Sequence, residues 1–229
     1  MGEFFKCYNL PMSQTIKNIV LVVVILILII FIFMSLNKEN TIDKPIKIIA
    51  YGDSLTEGFG LFKEYSYPSI LEKSLVEKGY KNIKVLNYGI SGDTTENALN
   101  RIQPVLDEKP DIVILTIGAN DMLRRQDLGQ MKDNIRKIMS KLKENNTEVI
   151  LSYMKAPFIT GKYGKEFEGV YFVLQSEFKS HHINSFMDGV WGESEYLLLD
   201  QLHPNKEGYE IIVKENVLPV LLDVLDEKF

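Results

Sequence analysis

Cysteine is almost absent from this chain. Its single Cys7 excludes an intrachain disulfide, and it precedes the long apolar segment where lipidation would require it to follow, so it reads as an incidental residue. Histidine is nearly as scarce: there are three, two of them adjacent (His181, His182), which argues against a multi-histidine metal site. No run of basic residues appears and the net charge is −5, so nothing suggests a nucleic-acid groove. Two common signatures of α/β proteins are also missing. There is no G-x-x-x-x-G-K-[ST] phosphate loop and no G-x-S-x-G elbow. Gly58-Phe59-Gly60 begins a dinucleotide-like pattern, but lysine occupies position 63, where the third glycine belongs.

One long hydrophobic run is present. Ile19 to Leu36 (IVLVVVILILIIFIFMSL) carries no charge and is just long enough for a spanning helix. It ends Phe33-Met34-Ser35-Leu36-Asn37, a poor match to the small-residue site of a cleaved signal. The reading is therefore a short tail over 1–18, an uncleaved anchor over 19–36 and a polar linker over 37–45; a cleaved signal is the alternative. Lysines lie on both sides (Lys6, Lys17; Lys38, Lys44, Lys47), so charge counting leaves the orientation open. The short tail favours a membrane anchor with the bulk of the chain exported to the periplasmic or extracellular side; signal cleavage would release it as a secreted protein. Met12 suits a start as well as Met1.

The remaining residues, about 190, suit one domain over 46–229. Short apolar runs at Ile46–Tyr51, Ile83–Leu86, Ile112–Ile117 and Val149–Met154 read as buried strands, with a weaker one near Ile183–Phe186. Amphipathic stretches alternate with them: Pro68–Lys78, Thr95–Glu108 interrupted by Pro104, Gly129–Glu144, Glu166–Lys179, and Lys206–Leu225 kinked at Pro219. Such alternation predicts a parallel sheet covered on both faces, a three-layer α/β/α sandwich. In that architecture chemistry gathers in the loops at the carboxyl ends of strands.

Those loops are rich in functional residue types. Gly52-Asp53-Ser54-Leu55-Thr56-Glu57-Gly58 follows the first strand and Ser91-Gly92-Asp93 the second. Gly118-Ala119-Asn120-Asp121 follows the third, and Asp200-Gln201-Leu202-His203-Pro204-Asn205 stands near the end. A serine hydroxyl needs a base to become a nucleophile, and His203 is the best base available. Asp200, three residues earlier, can reach the imidazole on an irregular loop and fix its tautomer. Pro204 disfavours helix at His203, keeping it on that loop. Ser54, Asp200 and His203 thus form a candidate triad. The N–H groups of Ser54 and Gly92 and the side-chain amide of Asn120 are candidate donors to an oxyanion. Asp53, Asp93 and Asp121 read as loop-holding carboxylates, and His181-His182 as a solvated turn.

GDSLTEG, SGD, GAND and DQLHPN together resemble the successive blocks of the GDSL/SGNH hydrolase family, with Ser54, Gly92, Asn120 and His203 in the positions that give SGNH its letters. NYGISGDTT, GANDMLR and the stretch from Ala156 to Gly164 resemble the bacterial thioesterase I, lysophospholipase and arylesterase branch. The resemblance implies a flavodoxin-like SGNH fold with no cofactor and no metal. It also implies a serine esterase acting on acyl esters or thioesters through Ser54, Asp200 and His203 and an acyl-enzyme. The substrate expected is a small-molecule or lipid acyl ester. The anchor departs from a family pattern of cleavable export signals. A carbohydrate acetylesterase or an acyltransferase on the same site is the alternative. A nucleotide- or flavin-binding module fits less well, as does an inactive membrane scaffold that would not need the triad intact. Apolar loops at Phe59–Tyr65, Met122–Leu128 and Phe158–Phe167 are the expected acyl contacts, while Trp191, Phe158, Tyr163, Phe167 and Tyr171 read individually as core or lid packing.

Overall fold

The computed structural model describes residues 13–36 and 45–229. The tail before residue 13, Cys7 included, and linker residues 37–44 lie outside the described residues. The chain divides into two compact units, residues 1–40 and 41–229.

Among the described residues the first unit holds one helix, α1 (Gln14–Leu36), of 23 residues. It begins ahead of the expected Ile19 because Ser13 caps it: the Ser13 Oγ accepts from Ile16 N at 3.4 Å and its carbonyl from Lys17 N at 3.1 Å. Lys17 therefore lies in the first turn of the helix. The window Gln14–Phe31 has a mean hydropathy of 2.6, long and apolar enough to cross a membrane or to serve as a signal sequence.

The second unit is built on five strands: β1 (Ile46–Gly52), β2 (Ile83–Gly89), β3 (Ile112–Thr116), β4 (Glu148–Ser152) and β5 (His181–Ile183). All pair in parallel, in the order β2-β1-β3-β4-β5. Central strands β1 and β3 are buried almost throughout, from Ile48 to Gly52 and from Ile112 to Thr116. That explains the apolar stretches Ile48–Tyr51 and Ile112–Leu115, because each face of the sheet is covered. The order reverses at β1/β3, the switch point where ligands bind in such sheets.

Helices α2 (Ser54–Glu57), α3 (Tyr67–Glu77), α4 (Thr95–Asn100), α5 (Ile102–Asp107), α6 (Ala119–Leu123), α7 (Leu128–Glu144), α8 (Gly161–Phe178), α9 (Lys206–Ile211) and α10 (Leu218–Lys228) complete the unit. α7 packs on α4 and α8, while α3 packs on α9. Three of the differences from the sequence reading have local causes. The break in 95–108 falls at Arg101, and Pro104 sits in the first turn of α5, where a helix needs no N–H. Before Pro219 the chain widens into a π turn, Ile212–Val217, since proline cannot donate to the carbonyl four residues back. β5 starts two residues early, so His181 and His182 form an edge strand; one His182 ring nitrogen lies 2.6 Å from Gln175 Nε2.

Candidate active site

The turn after β1 is shaped by Asp53, whose carboxylate accepts from Leu55 N at 3.0 Å and caps α2. This four-residue helix places Ser54 at its first position, half-buried. The Ser54 Oγ lies 2.8 Å from His203 Nε2, and His203 Nδ1 lies 2.7 Å from Asp200 Oδ2. The three residues named from sequence therefore converge.

The loop that carries Asp200 and His203 is closed by a bridge between Leu197 and Pro204 and by Leu198 N donating to His203 O at 2.7 Å. Asp200 Oδ1 accepts from Leu202 N and His203 N, at 2.9 and 3.1 Å, so both carboxylate oxygens are engaged. Partial desolvation works to raise the Asp200 pKa. The hydrogen bonds from the His203 ring and from those two N–H groups outweigh it and hold the carboxyl down to about 2. An ionised carboxylate facing Nδ1 selects the tautomer with hydrogen there, leaving Nε2 to accept from Ser54. The Phe59 ring lies against the imidazole with centroids 4.5 Å apart. Just past the loop, the buried Tyr209 of α9 donates to Leu55 O at 2.9 Å, tying the histidine's helix to the serine's turn. Nothing in the sequence singled out Tyr209.

Gly92 and Asn120 line the same cleft as Ser54 and His203. Gly92 has φ +85°, a backbone state that glycine adopts without strain. Asn120 Nδ2 donates to Asp93 O at 2.9 Å, and because an amide has two hydrogens, one remains to face the cleft. Arg124 Nη2 donates to Gly92 O at 3.0 Å from the other side.

The loop carboxylates lie beneath this surface. Asp121 accepts from Thr95 N at 2.9 Å and from Thr95 Oγ1 at 2.6 Å; burial raises its pKa and those bonds oppose the rise. Asp93 pairs with Arg101 at 2.5 Å, and Arg101 also donates to Gly52 O at 2.9 Å. Among the described residues no cation pairs with Asp53 in this way. Burial pushes its pKa up to about 7, against the Leu55 N–H, and the neighbouring Asp121 and Asp93 add to the rise.

The cleft measures about 510 Å³. Its floor is apolar, with the buried Met122, Met154 and Met187, and its rim carries the exposed Phe59, Leu123 and Trp191. Two of the expected acyl loops contribute (Phe59; Met122 and Leu123). From the Phe158–Phe167 stretch, Ile159 and Lys165 among the described side chains line a separate groove with Ala156 and Glu168. Trp191, read as packing, is 43% exposed at the mouth, whereas Phe167 and Tyr171 do belong to the core. Met154 was legible, since it follows β4 at the sheet's carboxyl edge; Met187 and Trp191 carried no signal. Among the described residues no cluster of three or more His, Cys, Asp or Glu side chains could hold a metal.

Known proteins share this arrangement of sequence and fold. The profile of the GDSL-like Lipase/Acylhydrolase family matches residues 50–211. An arylesterase of Vibrio mimicus is 32% identical over 70% of this chain and 81% of its own. Esterase TesA of Pseudomonas aeruginosa is 30% identical over 78% of this chain and 89% of its own. The crystal structure of the psychrotrophic esterase EstA from Pseudoalteromonas sp., inhibited by monoethylphosphonate, superposes with a TM-score of 0.74. It is 27% identical and covers 79% of this chain and 98% of that one.

Proposed function

The chain belongs to the GDSL-like lipase/acylhydrolase family and is an ester-hydrolysing serine hydrolase; from that premise we propose that Ser54, His203 and Asp200 are its catalytic triad, acting through an acyl-enzyme. The observation that carries the proposal is the unbroken path Ser54 Oγ, His203 Nε2, His203 Nδ1, Asp200 Oδ2, at 2.8 and 2.7 Å. Ser54 Oγ attacks the acyl carbon as its proton passes to His203 Nε2. The carbonyl oxygen becomes an oxyanion, stabilised by the N–H groups of Ser54 and Gly92 and by Asn120 Nδ2. Collapse breaks the ester or thioester bond, and His203 gives its proton to the departing oxygen or sulfur. Water then attacks the acyl-enzyme, losing its proton to His203, and the acid leaves as Ser54 Oγ recovers that proton.

The substrates are acyl esters or thioesters with an apolar acyl part, such as lipid or aryl esters. The methionine floor and Trp191 favour a hydrocarbon chain over the sugar of a carbohydrate acetylesterase. The arylesterase and TesA relatives support the same class. The N-terminal helix holds the domain of residues 46–229 at a membrane, with that domain exported; its length and hydropathy support this role.

Ser54→Ala and His203→Ala test the triad. Each should lower kcat by roughly 10⁴-fold or more with the fold intact, because triad members act as a unit. A fluorophosphonate should label Ser54 alone. Near-normal turnover in either variant, or labelling that survives Ser54→Ala, would sink the assignment.

A further inference from the structure

Glu57 lies outside the triad and the oxyanion donors, yet it joins the two. It is the last residue of α2, three positions after Ser54. Its Oε2 accepts from Ser91 N at 2.7 Å and also from the Ser91 hydroxyl in a short hydrogen bond, although both residues are exposed. Its carbonyl accepts from Asn87 Nδ2 at 3.2 Å. Between these contacts the backbones touch: a Cβ on Gly89 would lie 2.1 Å from Glu57 N. The Ile90–Asp93 turn is thereby seated on the helix that carries Ser54.

The orientation of the Gly92 N–H depends on that seat. Ser91 and Gly92 are the central residues of a turn closed by Asp93 N donating to Ile90 O at 3.2 Å. The Gly92 N–H belongs to the peptide plane joining Ser91 to Gly92. Glu57 fixes the residue before this plane, and Arg124 holds the Gly92 carbonyl after it. Glycine at φ +85° is otherwise the loosest link of the turn, since it reaches both halves of backbone space at little cost. A surface carboxylate bonded to two donors of one exposed serine contributes little to global stability. It does restrict where one N–H points.

We propose that Glu57 is a positioning residue that aims the Gly92 N–H at the oxyanion, coupling the nucleophile's helix to the oxyanion turn through one side chain. The inference rests on the proposed role of Gly92 and Ser54. Losing an oxyanion donor outright costs about 10²–10³-fold, so misaiming one donor of three should cost roughly ten- to thirty-fold. The loss should appear in kcat with KM nearly unchanged, because the oxyanion exists only beyond the ground state.

The experiment compares full-length wild type with Glu57→Ala, Glu57→Gln, Ser54→Ala and Asn120→Ala. It measures kcat and KM on one p-nitrophenyl ester and melting temperature for each. Glu57→Ala should lose roughly tenfold or more in kcat at an unchanged KM, with little change in melting temperature. Glu57→Gln keeps an oxygen that can accept from Ser91 N, and should recover most of that loss. If Glu57→Ala keeps wild-type kcat while Ser54→Ala is dead and Asn120→Ala is impaired, the positioning role is wrong and the catalytic assignment stands. Equal losses in Glu57→Ala and Glu57→Gln would also overturn it, since the hydrogen bond would then not be the cause. Turnover surviving in Ser54→Ala would instead overturn the assignment on which the inference rests.

Discussion

Removing the Asn120 amide should separate two jobs of this side chain, one seen in the structure and one proposed. One Nδ2 hydrogen is bonded to Asp93 O at 2.9 Å, and the other is available to a developing oxyanion in the cleft. The first job is structural and ordinary: a partly buried neutral hydrogen bond contributes about 0.5–1.5 kcal/mol. In a domain of this size that corresponds to a fall in melting temperature of roughly 1–6 °C. The second, proposed job is catalytic, and loss of an oxyanion donor costs about 2.7–4 kcal/mol, or roughly 10²–10³-fold in kcat. Asn120→Ala should therefore lose both, with KM little changed, because substrate in its ground state carries almost no charge on the carbonyl oxygen. Asn120→Asp should be worse on each count. A carboxylate cannot donate to Asp93 O, and its charge would repel both that carbonyl and the oxyanion. Steady-state kinetics on a p-nitrophenyl ester, paired with thermal unfolding of the same preparations, reads the two effects independently. An Asn120→Ala enzyme with a lowered melting temperature but a kcat within a few-fold of wild type would falsify the oxyanion role, leaving Asn120 as a tie between turns.

Other perturbations probe the surroundings. Burial raises the Asp53 pKa to about 7, so folding favours its protonated form. Its contribution to stability is full below the unfolded carboxylate pKa of about 4 and is lost as pH rises towards 7. Asp53→Asn, which can still cap α2, should gain in melting temperature over wild type across that window; a difference that stays constant with pH would contradict this. Trp191→Ala should raise KM roughly tenfold for a long acyl chain, from about 60 Å² of lost apolar contact at ~25 cal/mol per Å², and leave an acetyl ester unaffected. Equal effects on both esters would remove Trp191 from the acyl path. Deleting the residues before about 45 should yield a protein that needs no detergent and keeps its kcat. Recovery of the full-length gene product as a soluble, N-terminally shortened protein would show a cleaved signal instead.

The fold was legible because its central strands are buried on both faces, which leaves unbroken apolar runs at Ile48–Tyr51 and Ile112–Leu115 that no surface element would tolerate. The polar motifs at the ends of those runs then had one place to go, the carboxyl edge of the sheet, and Ser54 and His203 meet there across 149 positions of sequence. Less visible was whatever depends on packing between distant segments. Tyr209 reads as an ordinary helix residue until its hydroxyl is found on Leu55 O. Met187 and Trp191 lie in a stretch of irregular backbone where neither period of apolar spacing applies, so only the folded chain shows them at the cleft. The side chains of Ile159 and Lys165, in a stretch expected at the acyl site, line another groove for the same reason: apolar composition marks a surface that packs or binds, and does not say which cavity it lines.

The parallel sheet gives the domain a direction. The chain enters β1 at Ile46 and presents Ser54 just beyond its other end, seven residues and about 23 Å later at a strand's rise per residue. Any leash, tag or solid support attached ahead of Ile46 thus pulls on the pole opposite the reactive mouth. A domain that begins near Ile46 can be fixed to a bead by its amino end, and the mouth of the cleft stays on the side away from the support.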